Sequence, residues 1–260
     1  MIQKDKNKRL ILVTNDDGVQ AKGIKELTKI AMLFGEVIVV APETGQSGMS
    51  HSVSLSNPLY LNKIKSAPGL TIYACSGTPV DSVKIAIHNI LDRKPDLIIS
   101  GINHGSNASV SAIYSGTIGA AREGSLNGIP AIGFSLLDHS PDADFTASVV
   151  YAEKIVEKVI QNGIPAKTCL NVNIPNIAKE KIKGIKVCRQ TLGKWVEEFD
   201  FRTSPNKKEY YWLSGKFSNF EPEATDTDEW ALGNSFVSIV PIEIDLTSYS
   251  VLDELNKWEF

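Results

Sequence analysis

Two carboxylates, Asp16 and Asp17, stand side by side between the apolar run Leu10–Thr14 (LILVT) and Gly18. In extended chain they would point to opposite faces. Only a turn brings both near one point, and Gly18 supplies the backbone freedom for one. Adjacent like charges repel unless a cation or hydrogen bonds compensate. A divalent ion does so directly, and oxygen ligands favour a hard one such as Mg²⁺ or Mn²⁺. The alternative is an Asx-turn that leaves both carboxylates in water.

Three further polar segments follow apolar runs. Residues 42–52 (PETGQSGMSHS) form a long glycine-bearing stretch. Ser47 could ligate a metal through its hydroxyl, and Ser50, His51 and Ser52 could contact an anion or donate a proton. A plain surface loop is the alternative. Residues 100–107 (SGINHGSN) offer Asn103, whose carbonyl oxygen suits a metal and whose NH₂ suits an oxyanion. Residues 114–117 (YSGT) then open a helical pattern. Ser-Gly-Thr at a helix N-terminus presents N–H groups and hydroxyls to a phosphate; simple N-capping by Ser115 is the alternative. A metal site of hard oxygen ligands beside a phosphate cradle suits phosphate-ester hydrolysis.

These segments need a scaffold that gathers them. The runs Leu10–Thr14, 37–41 (VIVVA), 97–100 (LIIS) and 131–135 (AIGFS) read as strands buried on both faces, with 71–75 and 168–173 as further candidates. Ile24, Leu27, Ala31 and Phe34 share one helical face. Thr78, Pro79 and Asp81 mark a helix start, followed by a stripe of Val80, Val83, Ile87 and Leu91. Another helix is expected from Ser140-Pro141 to Gln161, stopping at Asn162-Gly163. Such alternation predicts a doubly wound, mostly parallel α/β sheet, in which ligands bind beyond the carboxyl ends of the strands. The polar segments lie there. From about Lys183 the pattern turns β-rich, with Trp195, Tyr210, Tyr211, Trp212 and Trp230, and residues 205–208 (PNKK) look like a hairpin tip. The expected division is therefore an α/β catalytic domain over 1–182 and a β-rich extension over 183–260. Exposed strands of this kind commonly pair with another subunit, and the aromatics could stack on a base from the same or a neighbouring chain.

The 260 residues carry 27 Lys plus Arg against 30 Asp plus Glu, a formal charge of −3, with 42% hydrophobic and 22% charged residues. That is globular composition, with no basic patch or stacking stripe for a long nucleic acid. Cys75, Cys169 and Cys188 have neither disulfide-framework nor zinc spacing. No run approaches the roughly 20 apolar residues of a membrane span. The first ten residues, MIQKDKNKRL, lack the apolar stretch of a signal peptide. A soluble, cytoplasmic protein is expected.

TNDDG, AP…QSG…HS, GTPVDSV, SGINHGSN and YSGT, in this order, resemble the SurE family of stationary-phase survival proteins, which are 5′/3′-nucleotidases. The resemblance is strong from Leu10 to about Ser135 and resumes at Thr227-Asp228 and 238–242 (SIVPI). It implies a Rossmann-like domain with a C-terminal extension used in homodimer or homotetramer assembly. It implies a metal-dependent phosphatase acting on nucleoside 5′- and 3′-monophosphates, and on short polyphosphate. The family's ligands for one divalent ion per subunit fall on Asp16, Asp17, Ser47 and Asn103. Its phosphate contacts fall on Asn107, Ser115, Gly116 and Thr117. Residues 178–222 match no family motif, and Asp226 stands where a glycine is expected. On this basis water attacks phosphorus in line with Asp16 or Asp17 assisting as base; a direct aspartyl nucleophile is the alternative. The competing reading is a non-catalytic nucleotide-binding module. A dinucleotide module, however, wants GxGxxG after the first strand, where this chain has Asn15-Asp16-Asp17-Gly18.

Overall fold

A computed structural model describes residues 8–258. The reading of the first residues as lacking a leader falls mostly on residues 1–7, outside the described ones. The described residues form a nine-stranded sheet in the order β3-β4-β2-β1-β5-β6-β7-β13-β8. Its centre is parallel: β1 (Leu10–Thr14), β2 (Glu36–Pro42), β4 (Leu70–Cys75), β5 (Leu97–His104), β6 (Ala131–Leu136) and β7 (Thr168–Ile174). The edge strand β3 (Leu61–Ala67) pairs antiparallel with β4. At the other side β13 (Phe236–Glu243) inserts antiparallel against β7 and parallel to β8 (Gly184–Val187).

The continuous apolar runs are strands because both faces are covered. Alternate residues of β1 serve opposite layers. Ile11 and Val13 pack with Ile24 and Leu27 of α1 (Lys22–Met32) and with Ile155 and Val156 of α5 (Thr146–Asn162). Leu10 and Leu12 pack with Val83 of α2 (Pro79–Ile85) and with Ala120 and Ala121 of α4 (Gly116–Leu126). A capping box starts α2: Asp81 N donates to Thr78 Oγ1 (3.1 Å) while Thr78 N donates to Asp81 Oδ2 (2.9 Å). A short α3 (Ser111–Tyr114) precedes α4.

Three boundaries differ from expectation. The strand read as ending at Ser100 continues to His104, with an irregularity against β6 between Ser100 and Asn103. The helix expected from Ser140-Pro141 begins at Thr146. Asp144 explains this, since its carboxylate accepts from both the N–H (2.9 Å) and the hydroxyl (2.6 Å) of Thr146. The regular part of α2 ends at Ile85 and runs on as one π turn over Ala86–Ile90, so Val80 and Val83 are buried while Ile87 and Leu91 are half-buried.

Beyond residue 183, β8 and β13 complete the main sheet. What stands off it is a double hairpin over residues 193–219, called the arm below. In the arm β9 (Gly193–Val196) pairs with β12 (Lys216–Asn219), and β10 (Phe199–Thr203) pairs with β11 (Glu209–Leu213). The tip lies at residues 204–208, as the sequence predicts. Two helices not foreseen from the β-rich pattern, α6 (Asp228–Gly233) and α7 (Tyr249–Leu255), flank β13. All three cysteines are free and buried. No helix among the described residues is long and apolar enough to cross a membrane.

Candidate active site

The carboxyl ends of β1 and β5, the loop after β2 and the start of α4 converge on one cavity of about 510 Å³. Asp16, Ser47, Asn103, Asn107 and Ser115 line its sheet side. Local chemistry builds each corner. Asn15 Nδ2 donates to Gly18 O (2.9 Å), and Gly18 has φ 98°, so the chain turns sharply after β1. The loop after β2 is tied over this turn: Val19 N donates to Pro42 O (2.8 Å) and Gln46 N to Asp16 O (2.7 Å). That places Ser47 at the cavity.

Asp16 is buried and held by α4. Thr117 Oγ1 donates to Asp16 Oδ1 (2.5 Å) and Thr117 N to Asp16 Oδ2 (3.1 Å). Gly116 allows this approach; a Cβ there would stand 2.9 Å from Asp16 Cβ. Asp17 Oδ2 accepts from His104 N (3.1 Å). Burial pushes the Asp16 carboxyl up to about 6; the Thr117 bonds oppose this and the Asp17 charge adds to it. Burial also raises Asp17, against the His104 N–H and the nearby His104 and His139 rings.

The donor set fits a hard cation. Asp16 is buried at the cavity, while the next residue, Asp17, is half-buried and not among the lining residues; among the described residues neither carboxylate pairs with a Lys or Arg. Asn103 Nδ2 donates to Gly105 O (2.9 Å), which leaves Oδ1 as its uncommitted atom. No group of three or more His, Cys, Asp or Glu side chains is placed to hold a metal among the described residues. The donors here are two carboxylates, a hydroxyl and an amide carbonyl, the oxygen chemistry that hard ions take.

A second layer fixes Asn107. Its N–H donates to Asn173 Oδ1 (2.8 Å) and its carbonyl accepts from Asn171 Nδ2 (2.8 Å). Its own Nδ2 donates to Ser135 Oγ (2.8 Å). Asn173 Nδ2 closes the circuit on Asn171 Oδ1 (3.0 Å). The loop after Asn107 is clamped by Asp228, which accepts from Ser109 N (2.7 Å) and from Thr191 Oγ1 (2.6 Å).

Not every residue singled out in the sequence reaches the cavity. Gly116 and Thr117 lie behind Asp16. Ser115 accepts from Ile118 N (3.1 Å), so it is an N-cap that also borders the cavity. His51 Nε2 sits 3.0 Å from Glu123 Oε2, and Ser50 Oγ donates to Ile113 O (2.7 Å), so both serve the loop's fixation. The Ser52 hydroxyl is buried without a hydrogen-bond partner. Sequence reasoning missed His104, Tyr114 and His139 as lining residues. His139 follows the end of β6, the position that the strand-end rule singles out. Its ring rests on Gly105, where a Cβ would lie 2.1 Å from Cε1.

Fold and site define a doubly wound α/β protein with an oxygen-donor cavity at its strand ends. The family model "Survival protein SurE" matches residues 11–197, and the chain belongs to the SurE family. A relative from Christiangramia forsetii named 5′-nucleotidase SurE is 52% identical over 256 residues, spanning 98% of both chains. Another of that name, from Flavobacterium psychrophilum, is 50% identical over 97% of this chain and 98% of its own. The crystal structure of the SurE protein from Aquifex aeolicus superposes with a TM-score of 0.82 at 38% identity, covering 95% of this chain and 98% of that one.

Proposed function

We propose that this chain is a phosphomonoesterase that releases phosphate from nucleoside monophosphates, as a 5′-nucleotidase. The meeting of Asp16, Ser47 and Asn103 with Asn107 and Ser115 in one cavity carries this reading. The name borne by its relatives supports the substrate class.

A divalent ion, Mg²⁺ or Mn²⁺, held by Asp16, Asp17, Ser47 and Asn103 would neutralise charge developing on the phosphoryl group and lower the pKa of bound water. The chain's own residues do the rest. Thr117 holds both oxygens of Asp16. Ser115 accepts from Ile118 N–H, so its hydroxyl proton is free for a phosphate oxygen. Asn107 has a second Nδ2 proton beyond the one given to Ser135, and its backbone is fixed on both sides. The carboxylate of Asp16 or Asp17 is the acceptor for the proton of an attacking water.

The test is phosphate release from nucleoside 5′- and 3′-monophosphates and tripolyphosphate, with Mg²⁺ or Mn²⁺ and then with a chelator. Release that disappears with the chelator is expected. Folded protein that releases nothing with any metal would leave the non-catalytic nucleotide-binding module as the better reading.

We also propose a homodimer or homotetramer. Phe199, Tyr211, Trp212 and Leu213 of the arm are all more than half exposed, which supports a subunit contact there. Light scattering of the purified protein measures the state, and a monomer at micromolar concentration would refute it.

A further inference from the structure

We propose that the arm of the same chain forms the nucleoside-binding wall of the cavity, with Trp195 as platform for the base and Glu198 as acceptor for nucleoside N–H or O–H donors. The inference rests on the nucleotidase reading above and adds to it what holds the leaving group.

The cavity has two unlike walls. Besides the oxygen donors of the sheet, the cavity is lined by Trp195, Glu198, Leu213 and Ser214, all from the arm. Inorganic phosphate would need only the polar wall. A volume of about 510 Å³ falls in the range of about 300–1,000 Å³ typical of small-molecule sites, so the cavity has room for more than a phosphoryl group.

The arm wall is braced. Trp195 on β9 sits directly across from Phe217 on β12, and the two rings meet edge to face with centroids 6.3 Å apart and planes at 68°. Ser214 N donates to Glu198 O (2.7 Å) and Ser214 Oγ to Glu197 O (3.3 Å). These bonds close the junction between the two hairpins, where Gly215 takes φ 132°. The backbone of Glu198 is thus fixed, while its carboxylate has no hydrogen-bond or ion-pair partner among the described residues.

The chemistry follows from these groups. An indole on the cavity lining can stack on any base, because every base has a π face. An ionised carboxylate only accepts. It matches adjacent donors, which the guanine edge and the ribose cis-diol both offer. Adenine instead sets a ring acceptor beside its amino group.

The experiment measures steady-state phosphate release by the metal-loaded full chain from GMP, AMP, 2′-deoxy-GMP and ribose 5-phosphate. Trp195→Ala is expected to lower kcat/KM for the nucleotides roughly tenfold, mainly through KM. It should leave ribose 5-phosphate within about twofold of the parent value. Trp195→Phe should restore most of the loss. Glu198→Gln is expected to discriminate: a selective fall on GMP assigns the donors to the base, and a fall on GMP and AMP that spares 2′-deoxy-GMP assigns them to the ribose. Equal falls on ribose 5-phosphate and the nucleotides in Trp195→Ala, or no fall on nucleotides, would overturn the platform. Parent-like rates of Glu198→Gln on all four substrates would overturn the acceptor role. A parent inactive on every substrate would instead sink the nucleotidase reading. GMP binding by calorimetry then decides the subsite: weakening in Trp195→Ala supports it, and unchanged binding refutes it.

Discussion

Thr117 grips the Asp16 carboxylate at both oxygens, through its hydroxyl at 2.5 Å and its backbone N–H at 3.1 Å, across 101 residues of chain. A helix N-terminus that could have met the phosphate directly thus spends its second N–H on a carboxylate. Thr117→Val keeps the shape and the backbone bond but removes the hydroxyl. Hydrogen bonds to charged groups contribute about 1.5–3 kcal/mol, so kcat/KM should fall about 10- to 100-fold, with Thr117→Ser close to the parent. Unaltered kinetics in a folded Thr117→Val protein would show that the hydroxyl does not matter to Asp16.

Asp16 also sets a pH dependence. Its carboxyl titrates near 6 in the fold, against 3.8 for the free side chain, chiefly because of burial. The native state therefore binds more protons than the unfolded state between these values, and stability falls as pH rises through that window. The loss is on the order of 3 kcal/mol in the absence of metal. Asp16→Asn cannot titrate. In chelator, its melting temperature should rise relative to the parent between about pH 4 and pH 6, while turnover is abolished. A gap between the two proteins that stays constant with pH would contradict the argument, and near-normal turnover would sink the catalytic role.

Glu123 behaves in the opposite sense. Burial alone would raise its carboxyl, but His51, Lys84 and Asn127 outweigh it and hold the group below its usual value of 4.5. Its stabilising contribution is present above about pH 4.5 and is lost as pH falls through the lower folded-state value. Glu123→Ala leaves His51 and Lys84 without their acceptor, while Asn127 Nδ2 keeps the Glu123 carbonyl, and should cost about 2 kcal/mol at neutral pH. Urea denaturation at pH 7 and pH 4 tests this. The deficit should shrink at the lower pH, and an equal deficit at both would refute the ionic account.

The Asn107 circuit predicts a kinetic split. Asn173→Ala strips the acceptor from Asn107 N–H and the donor from Asn171 Oδ1 in a buried place. A loss of about 1–3 kcal/mol in stability is expected. KM for nucleotide should rise more than kcat falls, because Asn107 is proposed to orient phosphate. A drop in kcat alone would place Asn107 outside substrate binding.

The central sheet was legible because its strands are buried on both faces, and runs such as LILVT and VIVVA have no other economical use. The polar segments after them were legible for the same reason, since a doubly wound sheet delivers its strand ends to one edge. Local glycine and amide content misled at β5, where residues 101–104 look like loop, yet the strand runs on and Asn103 and His104 pair with β6. At α5 the proline at 141 outshone Asp144, the residue that holds the helix start. Long-range partners left no local trace. Nothing near His51 points to Glu123, and nothing near Thr117 points to Asp16. Asp226, odd beside the family motif, is explained only by Arg189: its Nε donates to Asp226 Oδ2 at 2.8 Å while the guanidinium grips Glu221 with both Nη atoms. The arm's return to the cavity is likewise a tertiary fact, which periodicity over residues 193–219 does not contain.

The order of strands in space also bears on how the chain emerges from the ribosome. The edge of β7 is covered by β13, near the C-terminus, and β8 attaches only through β13. Synthesis therefore presents a parallel half-sheet with a bare β7 flank for as long as residues 175–235 are still being made. An open flank of that kind is a template for stray pairing. The arrival of β13, not the making of the cavity's first loops, is the event that seals the β7 flank, and a nascent chain stalled before residue 236 would expose an unsealed sheet edge to quality control.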